Sequence, residues 1–123
     1  MKILLLLFLF SVKNLSFSEE WINYAENNKK KYFFNSFKKY KNGDTVIFWD
    51  LHQLNAKRNN KYKSILFAAE YNCRKKTKRT LNQKKYMGSM GTGKIFYEKS
   101  EVTKWFNASI DGTIGKLYKY ICE

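Results

Sequence analysis

Between Trp21 and Tyr97, apolar and polar residues alternate in short runs separated by clusters of Asn, Gly and Lys, which is the pattern of strands joined by turns. The runs predict six strands, at about 20–26, 31–35, 44–53, 62–73, 77–86 and 93–98. The fourth is the clearest, because Ile65, Phe67, Ala69, Tyr71 and Cys73 alternate with Ser64, Leu66, Ala68, Glu70 and Asn72. A side-chain period of two puts the first set on one face, with Cys73 at its end. The third run, Thr45 to Leu51, is apolar on both faces and belongs near the middle of the sheet, under a cover on one side. That cover is expected at the C-terminus. Thr113 is placed to cap a helix from Ile114 to about Cys122, and Ile114, Leu117, Tyr118, Ile121 and Cys122 fall on one stripe of it. Lys116 and Lys119 lie off the stripe, and positive charge in the last turn suits the helix dipole. The fold class is therefore α+β and mainly β, a meander of six antiparallel strands with one covering helix.

Ahead of this pattern, Lys2, the apolar run Ile3 to Phe10 and the sequence Ser16-Phe17-Ser18 have the layout of a secretory signal peptide. The apolar run is too short for a helix to cross a bilayer core of about 30 Å, so a stable span is not expected after cleavage. Residues 1–18 read as the leader and 19–123 as one domain, without proline, linker, low-complexity stretch or internal repeat. Outside the cytoplasm, Cys73 and Cys122, with no metal-like spacing, read most simply as one disulfide; two separate buried thiols are the alternative.

Charge then narrows the partners. Without Lys2 and Lys13, 22 basic side chains face 10 acidic ones, a net +12 with the single histidine neutral. Such a field attracts nucleic acid, glycosaminoglycans, lipopolysaccharide or acidic protein faces. The densest runs are Lys29-Lys30-Lys31, then Lys38, Lys39 and Lys41, and Arg74-Lys75-Lys76-Thr77-Lys78-Arg79 at the turn between the fourth and fifth strands. Arg74, Lys75, Lys76, Lys78 and Arg79, with Lys29, Lys30 and Lys31, are the candidate ligand-binding residues: sulfates and phosphates need several cations, and a tight turn projects them together. The alternative is a solubilising run without a ligand.

Catalytic chemistry has little to build on. His52 is the only histidine, and with Asp50 two residues away and no nucleophile beside it, the pair reads as structural. One histidine and two cysteines leave no zinc set, and no cofactor is expected. Gly88, Gly93 and Lys94 fit part of a phosphate-binding loop, but Ile95 stands where Ser or Thr is required and a strand follows instead of a helix. A glycine-permitted bend between strands is the simpler reading.

The order Glu20-Trp21, Tyr32-Phe33-Phe34, Val46 to Leu51, Tyr62-Lys63-Ser64, Tyr71-Asn72-Cys73, Tyr86 to Tyr97 (YMGSMGTGKIFY), Trp105, and Gly115 to Cys122 resembles the bacterial surface-adhesin protein E family. The resemblance spans the whole chain after the leader, and Met90-Gly91-Thr92-Gly93-Lys94 with the terminal cysteine is its most specific part. It implies a six-stranded antiparallel sheet whose C-terminal helix is tethered across the concave face by a Cys73–Cys122 bridge. It also implies a binding protein of the cell envelope or surface, of a family with a member that engages host matrix and plasma proteins such as vitronectin, laminin and plasminogen. The basic runs add sulfated glycans as candidate ligands, the leader an exported location in the periplasm, at the cell surface or in the medium, and the missing catalytic set a non-enzymatic role. A homodimer through an exposed strand edge is a further expectation. Two other function classes remain: an envelope accessory protein without a host ligand, and a secreted cationic nucleic-acid binder.

Overall fold

The computed structural model describes residues 20–36, 39–55, 61–108 and 112–123; the expected leader lies outside them. The strands are β1 (Trp21–Glu26), β2 (Lys30–Asn35), β3 (Tyr40–Asn42), β4 (Thr45–Leu54), β5 (Ser64–Asn72), β6 (Thr77–Tyr86), β7 (Ile95–Lys99) and β8 (Phe106–Asn107), and α1 (Gly112–Cys122) closes the chain. All six expected strands are present with ends shifted by at most two residues. Two short strands add to them. The sheet is antiparallel in the order β1-β2-β4-β5-β6-β7, with β3 on β4 and β8 on β6. β2 pairs the later part of β4, from Asp50 to Leu54, and β3 pairs its start, from Thr45 to Ile47, so one flank of β4 serves two strands. β6 is shared the same way: β8 takes Thr77 and Lys78, and β7 takes Gln83 to Tyr86.

Register follows side-chain parity. Val46 faces Tyr71, Phe48 faces Ala69 and Asp50 faces Phe67, which places these six on one side of the β4–β5 pair. Val46, Phe48, Ala69 and Tyr71 are completely or almost completely buried there, beneath α1. Of the helical stripe, Leu117 and Ile121 are buried, and Ile114, Tyr118 and Cys122 pack against the same cluster. Fully burying each large apolar side chain contributes roughly 1.5–3 kcal/mol, so this layer is the main support of a helix of 11 residues that would be marginal alone. Thr113 does not cap α1. The helix already includes Gly112, so Thr113 lies inside its first turn. The Cys73 and Cys122 sulfurs are bonded, with Cα atoms 5.7 Å apart, and tie the last turn of α1 to the end of β5.

The other side of β4 is covered as well. Leu51 is fully buried there, beside a 3₁₀ turn at Ser89–Gly91. That turn is fixed to the sheet through Ser64, whose hydroxyl donates to the Gly88 carbonyl at 2.7 Å and accepts from Gly91 N–H at 2.9 Å, and through Gln53 Oε1, which accepts from Met90 N–H at 2.7 Å. β4 is thus apolar on both faces because both faces are packed.

Candidate functional site

Both terminal basic runs are shaped by an asparagine. Asn27 Oδ1 accepts from Lys29 and Lys30 N–H at 2.8 and 3.0 Å in the β1–β2 turn, and Asn72 Oδ1 accepts from Arg74 and Lys75 N–H at 3.1 and 2.8 Å in the β5–β6 turn. The turns lie at opposite ends of β4, since Lys30 is in register with Leu54 and Asn72 with Thr45. At about 3.3 Å per residue they are roughly 30 Å apart. The eight candidate cations therefore do not form one surface.

They differ in environment too. Arg74, Lys75 and Lys76 are exposed at the disulfide end, together with Lys39 and Lys41. Arg74 reaches Asp44 at 3.8 Å across open solvent, and Lys39 Nζ donates to the Tyr120 carbonyl at 3.4 Å. Lys78 and Arg79 leave this group, because adjacent strand residues point to opposite faces. Arg79 pairs with Glu70 Oε1 at 2.7 and 2.8 Å and stacks 4.4 Å from the Trp105 ring centroid. Lys78 turns to the helix side. Lys29 and Lys31 are exposed at the far end, whereas the half-buried Lys30 also turns inward.

Lys30 and Lys78 converge there on a polar cluster around the buried Asp50. At its centre, Asp50 is 1% exposed and accepts from Tyr24 OH at 2.8 Å and from His52 Nε2 at 3.3 Å, with Lys78 Nζ at 3.5 Å. Lys30 Nζ approaches His52 Nδ1 at 3.3 Å. An ammonium can only donate, so Nδ1 accepts and the imidazole proton lies on Nε2, facing Asp50. Burial alone would raise the Asp50 carboxyl, but the hydrogen bond from His52, the charge of Lys78 and the Tyr24 hydroxyl together hold it below the usual carboxylate range. Tyr24 is shifted the other way, far above its ordinary value, first by burial and then by the Asp50 charge. The Asp50–His52 pair was legible as a pair; its partners Tyr24 and Lys78 were not, though one carboxylate at an inward position of an apolar strand is a signal that partners must exist.

The glycine-rich segment lacks the context of a phosphate-binding loop, because the strand Ile95–Lys99 follows it where a helix is required, and three of its amides are committed within the fold, Met90 N–H to Gln53, Gly91 N–H to Ser64, and Gly88 N–H to the Thr92 carbonyl at 3.0 Å. A Cβ on Gly88 would lie 2.5 Å from the Thr92 carbonyl oxygen. Gly88→Ala is accordingly expected to cost about 1–3 kcal/mol through overpacking, read as a lower thermal midpoint; an unchanged midpoint would show that this loop adjusts freely. No group of three or more His, Cys, Asp or Glu side chains among the described residues could hold a metal ion, and no helix among them is long and apolar enough to cross a membrane.

Among curated proteins, none matches this chain. Among solved structures, it is similar to Haemophilus influenzae protein E in crystal form II, with a TM-score of 0.65 and 17% identity over 83% of this chain and 86% of that one. A second structure of Haemophilus influenzae protein E gives 0.64 and 17% over 83% of each chain. Protein E from non-typeable Haemophilus influenzae gives 0.59 and 15% over 80% of this chain and 72% of that one. At such identities these likenesses concern the fold, which they share with this chain. The sequence pattern of surface-adhesin protein E matches residues 21–123, nearly everything beyond the expected leader. The chain belongs to the surface-adhesin protein E family and is an adhesin-like surface protein.

Proposed function

We propose that this protein is a non-enzymatic exported binding module whose cationic end recruits acidic segments of a host matrix or plasma protein, or a sulfated glycan. The observation that carries this reading is the exposure of Arg74, Lys75 and Lys76 on a turn whose backbone is fixed by Asn72 and begins at the bridged Cys73, with exposed Lys41 of β3 at the same end of the sheet. Fixing the turn reduces the ordering cost on binding, and the cations supply steering and charge-assisted hydrogen bonds. Membership in a surface-adhesin family supports display toward such ligands. Lys29 and Lys31 form a second, smaller basic site at the other end.

The test is binding of residues 19–123 to immobilised heparin, vitronectin, laminin and plasminogen across a salt series. The Arg74→Glu, Lys75→Glu double variant should bind about tenfold or more weakly, equivalent to roughly 1.4 kcal/mol, with a shallower salt dependence. Binding that ignores salt, or that this variant leaves unchanged, would refute the assignment to the disulfide end.

A further inference from the structure

Between the first turn of α1 and the sheet lies a cleft of about 270 Å³. Its polar wall is the Asp50 cluster, with Lys30, His52 and Lys78; its apolar wall is Tyr32, Ile114 and Leu117. The charges along the polar wall are unequal. Asp50 answers Lys78 and is also engaged by Tyr24 and His52. Lys30 instead meets His52 Nδ1 at 3.3 Å and the Tyr32 ring, 5.2 Å from its centroid, and among the described residues no carboxylate pairs with it. With His52 in the tautomer set by Lys30, two lysines against one aspartate leave one positive charge on the wall.

A half-buried ammonium without an anion, beside aromatic and aliphatic surface, is a receptor for a single negative charge on an apolar body. The volume lies just under the roughly 300–1,000 Å³ typical of sites for drug-sized ligands, which selects a smaller molecule. We propose that the cleft binds a small organic carboxylate, its carboxylate on Lys30 and its body against Tyr32, Ile114 and Leu117. The site is separate from the exposed cations at the disulfide end, and a polyanion is too large and too highly charged for it.

Benzoate is a suitable probe, titrated into isotope-labelled residues 19–123 and followed by amide chemical shifts at fixed ionic strength. The expected result is saturable binding, with a dissociation constant of about 1 mM or tighter and shifts at Lys30, His52, Thr113 and Ile114. Acetate, which lacks the body, and benzyl alcohol, which lacks the charge, should each bind about tenfold or more weakly. Lys30→Met keeps the aliphatic stem over Tyr32 and should weaken benzoate about tenfold. Ile114→Trp fills the cleft from the helix side while the Lys30 charge is kept, and should abolish the shifts. The proposal is overturned if acetate matches benzoate, if shifts gather at Arg74 to Lys76, or if either variant binds as the parent does.

Discussion

Cys73→Ser and Cys122→Ser are each expected to lower stability by about 4 kcal/mol, and the double replacement by no more than either single one. The bridge joins residues 49 apart, and the estimate is the chain entropy that closing such a loop removes from the unfolded state. For a domain of this size, whose total stability is about 5–10 kcal/mol, the loss is a large fraction. It should also be felt locally. The last turn of α1 is joined to the end of β5 by this bond, and Tyr118 meets Tyr71 of β5 edge-on at 5.9 Å. Denaturant titration measures the global loss, and near-ultraviolet circular dichroism reports the tyrosine pair. Losses that add in the double variant would show that each sulfur stabilises the fold independently.

Asp50→Asn should cost a comparable amount, about 3–5 kcal/mol, because it breaks a buried ion pair and leaves the largely buried Lys78 facing a neutral amide. Lys78→Met should be milder, since Asp50 keeps Tyr24 and His52 as donors. The pH dependence adds a sharper test. A carboxyl held below its unfolded value, near 3.9, gives a contribution that is complete above about pH 4 and is lost as pH falls through the folded value. The gap between parent and Asp50→Asn should therefore narrow below about pH 4. Tyr24 governs the opposite limit: its raised value gives a contribution that is complete below about pH 10 and shrinks as pH rises further. Equal stability of parent and Asp50→Asn at neutral pH would remove Asp50 from its central position.

What the residue pattern foretold, and what it did not, follows from period and length. The alternation from Ser64 to Cys73 is long enough to fix a face, and it led to the helix that covers that face. Tyr40–Asn42 and Phe106–Asn107 are too short to show any period, and their partners on β4 and β6 come from the tertiary fold. Arg74 to Arg79 read as one basic run because sign was counted without parity. Strand geometry begins at Thr77, so Lys78 and Arg79 part to opposite sides, one to Asp50 and the other to Glu70. Lys30 likewise lay within a visible charge run, but its inward direction depends on the register with Leu54 and on the position of His52. The cleft was invisible for the same reason: residues from β1, β2, β4, β6 and α1 compose it, and no short stretch of chain contains it.

Because the asparagine-shaped turns stand at opposite ends of the sheet, this molecule has two poles of the same sign. Under the proposed glycan binding, a sulfated oligomer of a few units can cover only one of them, whereas a chain longer than the roughly 30 Å between them can lie along the sheet or link two molecules pole to pole. Polymer length, independent of sulfate density, then separates simple occupancy from avidity and cross-linking.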